Sequence, residues 1–165
     1  MDEIARRAGV ARGTLYYNFA AKDEIAVGIA ERYRTKGYAQ LLAKQADGED
    51  AIALLDGFFG FAGTWIAENR AAAFIGTTAA IRGVGRAPDR PGTTMVLQQL
   101  VERGQTEGLL RKDLDPPVAA RLLAALLTQA ALLGPDASAD DVVGWPRLLL
   151  HVALDGLRLS SQAPP

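Results

Sequence analysis

Apolar residues recur along most of the chain at the three- and four-residue spacing of an α-helix, and no segment shows the apolar and polar alternation of a half-buried strand. Glycine, proline and short polar runs interrupt this pattern at residues 47–50, 83–92 and 134–138. The pattern predicts an all-α fold class, with a frayed tail at 160–165. The predicted helices cover residues 2–8, 12–18, 22–45, 51–69, 70–81, 94–107, 115–133 and 140–159.

The residue types that most enzymes use are scarce. The 165-residue chain has no cysteine and one histidine, and its three serines, Ser138, Ser160 and Ser161, lie near the C-terminus. Disulfides, thiolate metal sites and cysteine nucleophiles are therefore excluded, and we predict no cofactor and no metal. No apolar run approaches the roughly twenty residues of a membrane span, so a cytoplasmic protein that binds no membrane is predicted.

Positive charge is concentrated at the N-terminus. Residues 1–44 contain eight Lys or Arg and five Asp or Glu, a balance of +3, and the remainder contains ten against fourteen, a balance of −4. Their sum is the net charge of −1. The local excess favours a negatively charged partner for the N-terminal part.

The first two predicted helices have the spacing of a helix-turn-helix. They flank a three-residue turn that begins with glycine. Ile4, Ala5 and Ala8 face inward at helical spacing, and Val10 and Leu15 are expected to fill the gap between the helices. The second helix then presents polar and aromatic groups that can reach phosphates or base edges, namely Arg12, Gly13, Thr14, Tyr16, Tyr17 and Asn18. Lys22, at the start of the third helix, is placed to bind a phosphate.

A structural explanation of the same segment stays open at this point. Glycine-punctuated helix pairs occur in many proteins that do not bind DNA, and Tyr16 and Tyr17 are also compatible with half-buried core residues. The combination of small inward residues, outward hydroxyl and amide groups and local positive charge favours DNA binding.

The tetracycline-repressor-like (TetR) family of bacterial transcriptional regulators has a DNA-binding signature similar to three segments of this chain: Ile4-Ala5-Arg6-Arg7-Ala8-Gly9-Val10, Gly13-Thr14-Leu15-Tyr16-Tyr17, and Phe19 with Lys22-Asp23-Glu24. The resemblance is detailed over about the first 30 residues. It implies a homodimeric regulator, most often a repressor, that binds a double-stranded DNA operator through residues 12–18. It also implies that Arg12, Gly13, Tyr17 and Asn18 lie near bases, and that Thr14, Tyr16 and Lys22 hold phosphates.

Two features depart from the family pattern. Family members usually have a further helix before the position of Met1, and it covers the apolar faces of Ile4, Leu15 and Phe19, so we expect a preceding segment in the protein. Ala11 stands where the family more often has a serine or threonine that caps the recognition helix, and the loss of such a cap costs about 1 kcal/mol.

The remainder of the chain is predicted to bind a small hydrophobic or aromatic effector. Aromatic residues cluster in two successive helices, and the predicted effector pocket consists of Phe58, Phe61, Trp65, Phe74, Thr77 and Thr78, with Phe59 and Thr64 nearby. Aromatic residues at helical spacing are also typical of an ordinary core, so both interpretations stay open. The domain prediction is a DNA-binding domain with its linking helix over residues 1–45 and a ligand-binding and dimerisation domain over 46–165.

The last two predicted helices are unusually rich in leucine and alanine. They carry more apolar surface than one domain needs, including Leu122, Leu126, Leu148, Val152, Leu157 and Leu159, which predicts a four-helix dimer interface. His151 lies in this stretch, and no second ligand is near it in sequence. It is therefore interpreted as a hydrogen-bonded interface or core histidine rather than a metal ligand.

Two other functional classes are alternatives. The first is an all-helical enzyme whose aromatic pocket is an active site, with Asp56, Glu68 and Asp155 as acid-base groups, although none has an obvious partner in the sequence. The second is a helical dimerisation module that does not bind nucleic acid. Salt-dependent binding to DNA would distinguish the regulator from both.

Overall fold

The computed structural model describes residues 1–82, 92–132 and 139–157, and within these ranges the chain forms eight helices and no strand. The all-α prediction is confirmed. The helices are α1 (Asp2–Ala8), α2 (Arg12–Asn18), α3 (Lys22–Ala46), α4 (Ala51–Glu68), α5 (Arg70–Ile81), α6 (Thr93–Thr106), α7 (Pro116–Leu132) and α8 (Ala139–Leu157). The predicted breaks at 83–91 and 134–138, and the predicted tail with Leu159, lie outside the described residues.

The turn between α1 and α2 depends on a residue in the left-handed conformation. Gly9 has φ 66°, and the amide of Val10 donates to the carbonyl of Ala5 at 3.1 Å, which closes the end of α1. Ala11 precedes α2 in an extended conformation, and its methyl side chain cannot accept a capping hydrogen bond. At the start of the next helix, the Glu24 carboxylate reaches back from the first turn of α3 to accept from the amide of Ala20 at 2.7 Å.

Helix α3 connects this N-terminal unit to the rest of the molecule. A Cβ added at Gly37 would lie 2.6 Å from the Phe61 ring of α4, so the two helices approach closely there. Nearer its N-terminus, α3 packs against α5, where Arg82 forms an ion pair with Asp23 at 3.2 Å. Both α4 and α5 therefore contact the helix that follows α2 in the chain.

The main hydrophobic core lies among α4, α6, α7 and α8. Its fully buried members include Leu54, Leu55, Phe59, Leu97, Leu123, Leu150 and Leu154. A second cluster, made of Ile66, Ala73, Ala130, Ala131 and Val142, joins α4 and α5 to α7 and α8. These clusters account for the long apolar pattern in the second half of the chain.

Among the described residues, a single helix, α4, is long and apolar enough to cross a membrane by length and composition. Asp56 and Glu68 interrupt its apolar residues, so the uninterrupted apolar run is shorter than a membrane span. In the fold, α4 packs against α8, α3 and α6, and Leu54, Leu55 and Phe59 are completely buried by these neighbours. Its apolar character fits the central helix of a packed domain.

Candidate nucleic-acid interface and effector site

All residues that the sequence assigned to DNA contact are exposed, six of them on α2 and Lys22 at the start of α3. Tyr17 is 90% exposed and Tyr16 is 44% exposed, whereas Leu15, which immediately precedes them, and Ala5 of α1 are buried. The same exposed surface contains Arg12, Gly13, Thr14, Asn18 and Lys22. An aromatic ring as open to solvent as that of Tyr17 gains little from the fold, so it is available to a partner.

The interior of this unit is smaller than the sequence predicted. Ala5 and Leu15 are buried as expected. Ala8, however, is exposed rather than inward-facing, and Val10 is 41% exposed and does not fill the gap between the helices. Val10 follows the left-handed glycine, and its amide closes the preceding helix. The backbone there is committed to the turn, which leaves the Val10 side chain at the surface.

Two of the predicted DNA-contact residues are held by contacts within the unit. The Asn18 amide donates to the Thr14 carbonyl at 2.8 Å, so its side-chain oxygen stays free to accept a further hydrogen bond. The Arg12 guanidinium lies 2.9 Å from a carboxylate oxygen of Asp2 and 5.4 Å from the centre of the Tyr16 ring. Thus the guanidinium has a defined position before any DNA is bound.

A second carboxylate in the first turn of α1 holds the other two arginines of this unit. Glu3 accepts from Arg6 at 2.6 and 2.9 Å and from Arg7 at 2.8 Å. These hydrogen bonds, first with Arg6 and then with Arg7, lower the pKa of Glu3 below its ordinary value. The carboxylate is therefore charged over the whole physiological range.

The predicted effector residues do not surround one common space. Phe58 packs against the main core and Trp65 against the second cluster, while Phe74 is 42% exposed. The hydroxyl of Thr78 donates to backbone carbonyls of its own helix at 2.9 Å, and Thr77 is half-buried. Of the predicted set, Phe61 and Trp65 meet through a residue that sequence reasoning missed.

That missed residue is Tyr33 of α3. Its ring stacks on Phe61 at 4.5 Å and on Trp65 at 4.9 Å between centroids. Burial, and then the charge of Glu68, raise the pKa of Tyr33. An aromatic residue in the middle of the linking helix was the only available signal, because its partners lie about thirty positions later in the sequence.

A polar atom beside this stack has no partner. The indole Nε1 of Trp65 is buried without an acceptor among the described residues. Trp65 packs against the second cluster, where Ile66, Arg70, Ala130, Ala131 and Val142 line a void of about 10 Å³. This void holds about one water molecule, so an effector would have to displace side chains to enter here.

An apolar surface lies on the outer faces of α7 and α8. Val118, Leu122, Trp145, Leu148 and Val152 are each between 38% and 66% exposed, and we refer to these five residues as the outer apolar face. Leu126 and Leu127 pack against the main core. Of the other predicted interface residues, the side chain of Leu157 and all of Leu159 lie outside the described residues.

The candidate acid Asp56 of α4 has partners that the sequence did not reveal. Its carboxylate lies 3.1 Å from Arg147 and 3.1 Å from Nε2 of His151, both on α8. His151 is thus hydrogen-bonded as predicted, although its side chain is 60% exposed in the single chain. The carboxylate therefore forms a contact between α4 and α8.

Comparison with known proteins gives matches for both parts of the chain. Residues 1–29 match the family model of bacterial regulatory proteins of the tetR family. The A-factor receptor protein of Streptomyces griseus is 30% identical over an aligned length of 166 residues. The alignment covers 95% of this chain and 57% of that protein. The chain therefore spans a little over half the length of this curated relative.

Solved structures share the fold. A solved structure that concerns the molecular basis for control of antibiotic production by bacterial hormones superposes with a TM-score of 0.72 at 19% identity. The superposition covers 94% of this chain and 85% of that one. The ketosteroid transcriptional regulator KstR2 of Mycobacterium tuberculosis gives a TM-score of 0.68 at 21% identity, over 95% of this chain and 83% of that one. A tetR-family regulatory protein from Rhodococcus RHA1 gives 0.68 at 22% identity, over 97% and 86%.

Proposed function

We propose that this chain is a member of the tetR family of bacterial regulatory proteins, to which its residues 1–29 are similar, and that it is a homodimeric, cytoplasmic transcriptional regulator that binds double-stranded DNA and responds to a small hydrophobic effector. The observation that carries the proposal is the exposed surface of α2, where Tyr16 and Tyr17 contribute little to the core. Regulators of this family are generally not enzymes. We assign DNA binding to residues 1–45 and effector binding and dimerisation to residues 46–165.

The proposed DNA contacts follow from the geometry of α2. A major groove admits one helix, and the exposed groups of α2 are of the kinds that reach bases and phosphates. In this proposal Arg12, Gly13, Tyr17 and Asn18 lie near bases. Thr14, Tyr16 and Lys22 hold phosphates, with Lys22 at the N-terminus of α3, where free amides and the helix dipole also favour an anion.

Dimerisation is supported by the outer apolar face. Pairing of α7 and α8 with the same helices of a second copy would bury these exposed side chains in a four-helix interface. A twofold dimer can place two recognition helices in successive major grooves if they stand about 34 Å apart, one turn of the double helix. Binding would therefore depend on the distance between the two copies of α2.

The effector site is proposed around the stack of Tyr33, Phe61 and Trp65. A ligand that displaces the rings of α4 would act directly on Tyr33 and hence on α3, which carries α1 and α2. Such a ligand shifts the DNA-binding equilibrium only by its preference for one arrangement of α3. The names of a relative and a neighbour, a receptor for A-factor and a ketosteroid transcriptional regulator, support a ligand-responsive regulator.

The test is a DNA-binding measurement on the combined substitution Tyr17→Ala and Lys22→Ala. Duplexes selected by the purified protein from a random library serve as probes, and binding is followed by fluorescence anisotropy at several salt concentrations. Binding should fall at least about tenfold in the variant, because one base contact and one phosphate contact are lost. The wild-type affinity should itself decrease with salt.

The same variant supplies its own structural control. Both side chains are exposed, so helicity by circular dichroism and dimer mass by sedimentation should not change. Unchanged DNA affinity in a folded dimer would refute the assignment of α2. Failure of the wild-type protein to select any duplex would refute the proposed function as a whole.

A further inference from the structure

We propose that Asp2 is a positioning residue that limits the binding of DNA of arbitrary sequence, because it occupies the Arg12 guanidinium that a phosphate would otherwise bind. This role rests on the DNA-binding function proposed above. Nothing in that function requires an acidic residue on the recognition surface, where a carboxylate repels the DNA backbone.

The first observation is the geometry of the pair. Asp2 stands in the first turn of α1 and Arg12 in the first turn of α2, and they meet at 2.9 Å across the turn between the helices. The guanidinium also lies 5.4 Å from the centre of the Tyr16 ring. One face of the guanidinium therefore rests on an aromatic ring while one edge is held by a carboxylate.

The second observation is that the neighbouring arginines are held in the same way. Glu3 binds both Arg6 and Arg7, so two adjacent carboxylates engage all three arginines of α1 and α2. Lys22 makes no ion pair with any other described residue. In the unbound protein, Lys22 is thus the cation of this surface that is ready for a phosphate.

A carboxylate and a phosphate compete for the same N–H groups of an arginine. Non-specific binding depends on the number of phosphates that the protein neutralises, so an arginine retained by Asp2 adds little to it. A guanine offers two acceptors to one guanidinium and can replace Asp2 as a bidentate partner. The pair therefore weakens binding to any backbone more than it weakens binding to a site with a correctly placed guanine.

The expected size of this effect is modest. Both side chains are more than 60% exposed, and exposed ion pairs change an equilibrium constant by at most about fivefold. The variant Asp2→Asn should therefore bind a random-sequence duplex of about 30 base pairs, roughly three helical turns, about three- to fivefold more tightly at low salt. Its affinity should also fall more steeply with salt, with the slope of log K against log salt steeper by about 0.9 for each released Arg12, or about 1.8 for a dimer that places both copies on the duplex.

A double-mutant cycle separates this role from a general charge effect. In an Arg12→Ala background, Asp2→Asn should produce no increase in slope, because no guanidinium is left to release. Asp23→Asn removes a carboxylate beside Lys22 that pairs with Arg82 instead, and Asp113→Asn removes one from the Arg111 pair between α6 and α7. Both control variants should keep the wild-type slope.

Three results would overturn the inference: no gain in affinity with Asp2→Asn, an equal gain in the Arg12→Ala background, or an equal steepening with Asp23→Asn. Circular dichroism establishes that each variant is folded, and Asp2→Glu, which retains the charge, should restore the wild-type slope. If the wild-type protein binds no duplex at about 50 mM salt, the proposed function itself fails. Measurable wild-type binding with no effect of Asp2 refutes this inference alone.

Discussion

Gly13 lies in the exposed recognition helix α2, and a Cβ added there would meet no atom within 4 Å. Its φ lies outside the left-handed region, so neither backbone conformation nor packing within the chain requires glycine. Glycine inside a helix costs roughly 0.5–1 kcal/mol relative to alanine. We therefore expect Gly13→Ala to raise the free energy of unfolding by about this amount and to weaken DNA binding, because the added methyl group occupies space reserved for a base edge.

The comparison variant for Gly13→Ala is Gly28→Ala. Gly28 is also an exposed helical glycine, and a Cβ there would make an ordinary contact of 3.5 Å with the Phe19 ring. Urea unfolding should show a similar gain for both variants, and anisotropy should show weaker DNA binding only for Gly13→Ala. A Gly13→Ala protein that gains stability and retains its DNA affinity would show that α2 does not approach DNA closely at this position.

Single residues differ in how far the sequence predicts them. Tyr17 could be placed on the surface because it lies two positions from Leu15, and on a short helix that spacing separates the buried face from the exposed one. Val10 could not, because the left-handed glycine before it redirects the chain. The pair of Asp2 and Arg12 was also missed, since it depends on the angle between two helices rather than on spacing within one.

At the scale of elements, the contact between α3 and α4 is set by one glycine. A Cβ at Gly37 would lie 2.6 Å from Cε1 of Phe61, closer than real carbon contacts allow. We expect Gly37→Ala to push the ring away from its stack on Tyr33 and to lower the free energy of unfolding by about 1–3 kcal/mol. Urea unfolding measures this loss.

Gly57→Ala is the matched control on the other helix of this contact. A Cβ at Gly57 would lie 3.5 Å from the Lys44 ammonium, an ordinary contact with a flexible side chain. This variant should keep or slightly raise the free energy of unfolding, because alanine favours a helix more than glycine does. Equal losses in the two variants would mean that helix geometry, rather than the Phe61 contact, determines the effect.

Helix limits were predictable where the chain carries local signals. Gly9 follows the end of α1 as predicted, and α7 begins at Pro116, one residue after its predicted start, because a left-handed glycine and a first-turn proline act through the local backbone. Which helices and side chains pack together was harder to predict from the sequence. Phe58 and Trp65 lie on one helix seven residues apart, yet they pack against different clusters, and this depends on where α5, α7 and α8 stand.

At the scale of the whole molecule, local sequence signals predict a DNA-binding surface on α2 but do not predict the position of an effector site. The surface of α2 belongs to one short segment, so its composition and spacing indicate its role. The stack of Tyr33, Phe61 and Trp65 joins two elements and requires their relative positions. The outer apolar face could be predicted in part. The excess of leucine and alanine in the last two helices predicts a buried surface, but it does not identify which side chains are exposed in the single chain.

Dimerisation is the property on which DNA binding by the whole molecule should depend. Val152 of α8 is 66% exposed within the outer apolar face, and a carboxylate there would be buried against the same surface of a second copy. Val152→Asp should therefore give a folded monomer by sedimentation. Its affinity for a selected duplex should fall at least about tenfold, because a monomer has one recognition helix instead of two.

Ile81→Asp provides the comparison, since Ile81 is 65% exposed at the end of α5 and lies outside the outer apolar face. The two variants introduce the same charge at the same degree of exposure, so any general effect on solubility or net charge is shared. Only Val152→Asp should change the sedimentation coefficient, and both should retain wild-type helicity because each side chain is exposed in the single chain. If Val152→Asp remains a dimer with wild-type DNA affinity, α8 does not form the interface, and the twofold arrangement of α2 must be built on another surface.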